Sequence, residues 1–265
     1  MKPKSKPSSD PVVTSEAICQ KLRGFRVSGM ALALPVRLIE ARATDCDYLE
    51  FLDGLLTDEM DKRRETLVER RFKASKMPYR KTIDEFDFEF NPAIPKRRVQ
   101  ELASTRFVAQ STNVLMVGPP GLGKSHLAMA LGMNAIRQAY TVVYRSAFDL
   151  VDEMEAAEKA GQRRKLIQQF TQAQLLIVDE FGMRSMPGNA AVDFLEIAHR
   201  RHGNGATIIA TNRPVEDWGT MLGDNASTSA ILDRFLDQAE IIPMEGKSYR
   251  TARRKGGADS TEYQR

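Results

Sequence analysis

The sequence predicts an α/β fold: a parallel sheet sandwiched by helices, with a small all-helical domain ahead of it. Three observations carry that prediction. The apolar run Asn113-Val114-Leu115-Met116-Val117 leads into the glycine-rich loop Gly118-Pro119-Pro120-Gly121-Leu122-Gly123-Lys124-Ser125, and a helical run from His126 to Leu131 follows. Leu175-Leu176-Ile177-Val178 is continuously apolar, as a strand covered on both faces must be, and it ends in Asp179-Glu180. From Ile94 onward short apolar runs alternate with helical patterns, which argues parallel strands joined by crossover helices.

The elements follow in order. Residues 1–28, rich in Lys, Pro and Ser, read as a disordered basic arm. A helix is expected from about Leu34, with Pro35 in its first turn. Thr44-Asp45-Cys46-Asp47 offers a cap for a helix through Tyr48, Leu49, Leu52, Leu55 and Leu56. A separate basic helix from about Asp58 to Ser75 stops at Met77-Pro78, which closes a helical domain over 29–81. Residues 82–93 read as a linker. Within it, Ile83 to Phe90 alternates apolar and acidic residues and is expected to be extended, its three phenylalanines packing on the core rather than stacking on bases. The main domain spans 94–250. It opens with a helix from Val99 to Ala109, and strand Thr141–Tyr144 and helix Phe148–Ala160 follow the glycine-rich loop. After the Asp-Glu strand come helix Ala190–His202, strand Thr207–Thr211, helix Ile231–Leu236 and strand Glu240–Ile242. Residues 251–265 are expected to be a disordered tail.

Composition narrows the class. The 265 residues are 42% hydrophobic, with no apolar stretch near the ~20 residues of a membrane span. The basic N-terminus has no apolar segment behind it, so no secretion signal is read. Cys19 and Cys46 lack metal-ligand spacing and are expected to be reduced, which implies a cytoplasmic address. The net charge of +4 is unevenly spread. Residues 62–81 hold nine Lys/Arg against Glu65 and Glu69, and residues 1–28 hold six against two acids. Such an excess suggests a polyanion partner, with Lys62, Arg63, Arg64, Arg70, Arg71, Lys73 and Lys76 as candidate DNA contacts. A solvated helix face explains a basic run equally well.

The loop carries the chemistry. Gly118 to Ser125 fits G-x-x-x-x-G-K-[ST] in its required strand–loop–helix setting. Gly121 and Gly123 let the backbone curl so that successive N–H groups face phosphate oxygens, and the following helix adds its positive end. Pro119, Pro120, Leu122 and His126 complete the loop and the first helical turn. Lys124 can reach the β- and γ-phosphates, and Ser125 can ligate Mg²⁺. Asp179 and Glu180 lie where doubly wound sheets bind ligands, the first suited to holding Mg²⁺ and the second to polarising a water. ATP and Mg²⁺ are therefore the expected cofactors and hydrolysis the expected reaction. Asn212 closes the strand from Thr207 and can orient the attacking water, as at the sensor position of AAA+ ATPases; a turn-capping Asn is the alternative. Arg234, in Leu232-Asp233-Arg234, has no obvious phosphate within its own subunit. It suits an arginine finger supplied across a subunit interface, or else a salt bridge to Asp233 or Asp237. Arg250 is a second candidate phosphate reader.

These motifs in this order resemble the IstB family. The matching residues are Gly118 to Ala128, Leu176-Ile177-Val178-Asp179-Glu180-Phe181-Gly182, Thr211-Asn212, Trp218, Ala230 to Arg234, and Gly246-Lys247-Ser248-Tyr249-Arg250. That family comprises AAA+ helper ATPases of bacterial insertion sequences and is similar to the helicase loader DnaC and the initiator DnaA. The resemblance spans about residues 30–250 and implies an AAA+ fold. It further implies that ATP-bound subunits oligomerise on duplex DNA, deform it, mark a target site and recruit a partner transposase, with hydrolysis regulating disassembly. Association with the nucleoid when DNA-bound is implied, and no membrane contact. Carried over by position, Lys124, Ser125, Asp179, Glu180, Asn212 and Arg234 would fill the family's catalytic roles. Ser125 stands where Thr is commoner, and Phe181 and Met183 where other residues usually follow the carboxylates. A helicase-loader adaptor is the alternative, distinguished by an apolar docking surface in the helical domain.

Overall fold

A computed structural model describes residues 14–183, 186–222, 226–237 and 239–252, and the chain forms two compact units, 1–69 and 70–265.

The first unit holds α1 (Ser15–Gly24), α2 (Ser28–Thr44) and most of α3 (Tyr48–Ser75) around Cys19, Leu34 and Leu55, with Ile18, Leu22, Met30, Leu38 and Phe51 packed against them. The expected disordered arm is thus corrected from residue 14 on. Thr14 accepts a hydrogen bond from Ala17 N (3.2 Å) as an N-cap, and Ile18, Cys19 and Leu22 bury one side of α1. Window composition concealed that short amphipathic stretch; residues 1–13 lie outside the described residues. The second helix begins at Ser28 instead of Leu34, so Pro35 sits in its interior. The Glu59 carboxylate replaces a local cap, accepting from Gly29 N (2.7 Å) and Met30 N (3.3 Å). Pro35 leaves the Ala31 carbonyl without its helical donor, and the Cys19 thiol donates to it at 3.4 Å. The two helices expected on either side of Asp58 are one 28-residue helix. Asp58 is no breaker there, because its carboxylate accepts two hydrogen bonds from Arg37 (2.8 and 3.0 Å).

The second unit is built on five parallel strands in the order β2-β3-β4-β1-β5. They are β1 (Asn113–Val117), β2 (Val142–Ser146), β3 (Leu175–Phe181), β4 (Ala206–Thr211) and β5 (Ala239–Pro243). Val117 pairs with Thr211 and Pro243, and Ser146 with Asp179, so the carboxyl ends line up along one edge. Helices α6 (Lys124–Arg137), α7 (Ala147–Lys159), α9 (Gly188–Arg201) and α11 (Ala226–Asp237) cross between strands. Helix α8 (Arg163–Gln172), buried through Ile167 and Phe170 with Leu166 packed beside them, escaped sequence reading because its other seven residues are polar. The single helix expected over Val99–Ala109 is broken into α4 (Lys96–Ala103) and α5 (Arg106–Ala109) by Thr105, which takes φ +62.

The expected extended linker is a run of turns. Thr82 and Glu85 exchange hydrogen bonds, Thr82 N to Glu85 Oε2 (3.1 Å) and Glu85 N to Thr82 Oγ1 (3.3 Å), and Asp87 Oδ1 accepts from Glu89 N and Phe90 N (both 3.0 Å). Such local side-chain bonds compete with an extended backbone, and here they win. No helix among the described residues is long and apolar enough to cross a membrane.

Candidate functional site

The glycine-rich loop turns out of β1 into α6 with Gly121 at φ +86 and Gly123 at φ +90, left-handed angles that a side chain would strain. Lys124 folds back on the loop, its ammonium donating to the Gly118 carbonyl (2.6 Å) and the Pro119 carbonyl (2.8 Å). Burial, with Arg250 adding to it, lowers its pKa against the pull of Asp179.

At the next residue, Ser125 Oγ donates to Asp179 Oδ1 at 3.0 Å. Asp179 is buried, and it also accepts Tyr144 Oη on Oδ2 (2.8 Å) and the Glu180 amide on Oδ1 (2.8 Å). Burial, then the Asp179 carboxylate, pushes the Tyr144 phenol well above its ordinary range, so it stays a donor. Glu180 takes φ +56 at an irregularity in the β3–β4 register between Val178 and Phe181, and its side chain is exposed while both neighbours are buried. Sequence reading ended this strand at Val178; the bulge carries it on to Phe181 and turns Glu180 outward. A hydroxyl and a carboxylate in contact, with a second carboxylate alongside, form an all-oxygen donor set suited to a hard cation such as Mg²⁺.

These groups share one cavity of about 720 Å³ at the carboxyl edge of the sheet. Asn212 lines it from the end of β4, between the loop strand and the carboxylate strand. Arg250 lines it as well. Apolar and aromatic side chains line the cavity as well: Tyr79, Phe86, Phe90, Leu122, Met129 and Tyr249. His126 supports Phe86 edge-on (5.5 Å between centroids). Its Nε2 lies 2.9 Å from the Thr82 carbonyl oxygen, which can only accept, so that nitrogen carries the proton. Phe86 and Phe90 pack as read from sequence, on His126 and Tyr249, and they line the cavity together with Glu85 and Asp87. Tyr144 and Asn91 were missed altogether. A polar tip near the carboxyl end of a buried strand is the one signal that could have found Tyr144.

Arg234 is not in this cavity. It lines a small cleft with Asn113, His202 and Thr207, at the amino-terminal edge of the sheet. Four residue steps of β1 at about 3.3 Å place the two edges roughly 13 Å apart. Of the candidate DNA contacts, Lys62, Arg63 and Arg64 belong to the first unit and Arg70, Arg71, Lys73 and Lys76 to the second. Lys62 pairs with Glu65 (3.4 Å), Arg63 with Glu59 (2.7 Å) and Lys76 with Glu153 (2.8 Å), while Arg71 is half-buried. Arg64, Arg70 and Lys73 are exposed.

The profile of the family described as IstB-like ATP binding protein matches residues 20–257. The chain is 36% identical over 210 residues to an ATP-binding protein of insertion sequence IS5376 from Geobacillus stearothermophilus, covering 79% of this chain and 84% of that one. It is 36% identical over 221 residues to the corresponding protein of IS21 from Pseudomonas aeruginosa, covering 83% of each. Among solved structures it is similar in fold to DnaI (TM-score 0.54, 16% identity, 63% of this chain and 92% of that one). It is likewise similar to AMPPCP-bound DnaA from Aquifex aeolicus (TM-score 0.54, 21% identity, 71% and 58%). The sheet order, the loop and the sequence agree, and the chain belongs to the IstB-like family of ATP-binding proteins, with an AAA+ fold.

Proposed function

We propose that the chain binds Mg²⁺–ATP in this cavity and oligomerises in that state on duplex DNA. There it deforms and marks a target site and recruits and stimulates a partner transposase, and hydrolysis regulates disassembly. The observation that carries the reading is the meeting of Lys124, Ser125, Asp179, Glu180, Asn212 and Arg250 around one cavity. Lys124 would exchange two neutral carbonyls for the β- and γ-phosphate oxygens, a stronger charge-assisted pairing. Ser125 and Asp179 would hold Mg²⁺, which when bound neutralises charge on the phosphate oxygens. Glu180, turned outward at its bulge, would accept a proton from the attacking water, and Asn212 would orient that water. Arg234 would serve the cavity of a neighbouring subunit. The basic residues of α3, and Lys76 just after it, would follow the phosphate backbone, with Lys62, Arg63 and Lys76 trading their glutamates for phosphates.

Sedimentation of the full chain on random-sequence duplex, with ATP, ADP or no nucleotide at two salt concentrations, tests this. Large assemblies only with ATP, weakened steeply by salt, are expected. A chain that ignores duplex in every state would refute the DNA-remodelling reading.

One observation favours the second reading, a helicase-loader adaptor. The first unit exposes Leu32, Val36 and Ile39 along α2, and Leu49, Leu52, Leu56 and Met60 along α3. Exposed apolar rows at helical spacing suit a protein partner. Capture of a replicative helicase by wild type, lost in Val36→Asp with Leu52→Asp, would move the assignment there.

A further inference from the structure

The cavity has a wall that the phosphate loop does not supply. Residues 244–250 run alongside the loop. Met244 N donates to the Val117 carbonyl (2.8 Å), Tyr249 N donates to the Gly121 carbonyl (2.9 Å), and a side chain at Gly121 would overlap the Ser248 hydroxyl. Arg250 follows at once and lines the cavity beside Lys124. Both of those bonds are main-chain to main-chain. A further hold on the segment comes from a side chain 156 residues before Lys247.

Asn91 is 5% exposed. Its amide donates from Nδ2 to the Lys247 carbonyl (2.9 Å), and its Oδ1 accepts from Lys247 N (2.9 Å). A primary amide presents one of its two N–H donors and its carbonyl acceptor side by side in a plane, so it pairs with both backbone groups of a single residue as a neighbouring strand would. Gly246 is fitted to that contact. Its φ is +131, and a Cβ there would come within 2.7 Å of Asn91 Cγ. Phe90 packs its ring edge-to-face on Tyr249 (5.0 Å between centroids), one residue before Asn91 and two after Lys247. The main chain of Asn91 also receives Ile94 N (3.1 Å), tying the clip to the entrance of α4.

We infer that Asn91 is a positioning residue: by clipping Lys247 it holds the Gly246–Arg250 segment against the phosphate loop and sets Arg250 in the cavity, where it reads the γ-phosphate. The inference rests on the proposed reading of Arg250, and the test separates the two. Affinities of fluorescent ATP and ADP analogues are measured with Mg²⁺ on the full chain for wild type, Asn91→Ala, Arg250→Ala and the double variant, with melting temperatures alongside. Arg250→Ala should collapse the preference for ATP over ADP. Asn91→Ala should lose most of it, about tenfold, with the double variant no worse than Arg250→Ala alone. Gly246→Ala, which pushes on the same contact from the other side, should reproduce the loss, and it carries the test if Asn91→Ala fails to fold. A structural filler would weaken ATP and ADP equally and leave the ratio intact. That result, or losses that add in the double variant, overturns the role of Asn91 while Arg250 stands. An unchanged ratio in Arg250→Ala would remove the reading of Arg250 and the inference with it.

Discussion

Removing one oxygen atom tests the proposed metal site without disturbing the fold. In Tyr144→Phe the buried ring stays and only the hydroxyl that donates to Asp179 Oδ2 at 2.8 Å is lost. Asp179 keeps two donors on Oδ1, Ser125 Oγ and the Glu180 amide, so the carboxylate survives but its second oxygen is no longer aimed. A hydrogen bond to a charged group is worth about 1.5–3 kcal/mol net. Water from the open side of the cavity recovers part of that, which leaves about 1.4 kcal/mol, or tenfold, within the ~10–100-fold usual for a group that orients a metal ligand. The half-saturating Mg²⁺ concentration for hydrolysis should therefore rise about tenfold, and ATP binding measured in excess chelator should not change. Because burial and Asp179 keep the phenol protonated, the ratio of variant to wild type should stay flat between about pH 6.5 and 9. An unchanged Mg²⁺ requirement would show that Asp179 is oriented by Ser125 and the backbone alone, and would refute the reasoning. An equal loss of ATP affinity in chelator would assign Tyr144 to the nucleotide instead.

Other variants probe the remaining parts. Lys124→Ala should abolish binding of ATP analogues, whereas Glu180→Gln should bind ATP and accumulate as a long-lived assembly on duplex; equal assembly by both variants would contradict the mechanism. Arg234→Ala should bind ATP normally and fail to hydrolyse it, and mixing with Lys124→Ala should restore turnover, since each partner supplies what the other lacks. Failure in every mixture counts against a finger acting in trans. Arg201→Ala tests the sheet rather than the site. The guanidinium, pushed down to about 10 by burial, donates to the carbonyls of Phe170 and Ala173 (both 2.6 Å) and Ala206, and to Thr207 Oγ1 (3.0 Å). Stranding those carbonyls should cost about 3 kcal/mol and lower the Tm by roughly 6–12 °C while nucleotide affinity holds; a fall under about 2 °C would mean that water replaces the guanidinium.

What sequence reading reached here depended on how far apart the cooperating residues lie. Lys124, Ser125 and their glycines sit in one contiguous loop whose spacing is set by phosphate geometry, and Asp179-Glu180 end an apolar run that only a buried strand explains. Both signals are local, and the structure gathers both around one cavity. Asn91 is the opposite case. Nothing near it in sequence announces a partner at Lys247, and a lone Asn before a Pro reads as a turn. The conformation of the segment that holds the phenylalanines was misjudged for a related reason. Alternation with acids implies a strand only if the side chains leave the backbone alone, and Thr82 and Asp87 do not. Helix α2 shows the same limit at a boundary: its N-terminal cap is Glu59, thirty residues on, so the expected start slipped to the nearest proline.

The position of Arg234 bears on what kind of assembly could work. The chain presents the cavity proposed for the nucleotide at the carboxyl edge of its sheet and Arg234 at the other edge. A two-fold pair brings the same patch of both subunits together, so it could complete both cavities only if cavity and arginine shared one face. Sites at opposite edges instead favour a head-to-tail contact, in which the arginine edge of one subunit meets the cavity of the next. Such contacts close into rings or propagate as open helices. Under the proposed mechanism an open assembly always leaves one terminal cavity without its arginine, so turnover per subunit should climb with assembly length and saturate. A closed ring would instead switch on in a single step. Following turnover against protein concentration on duplexes of increasing length separates the two, and turnover independent of both would mean that hydrolysis needs no neighbour.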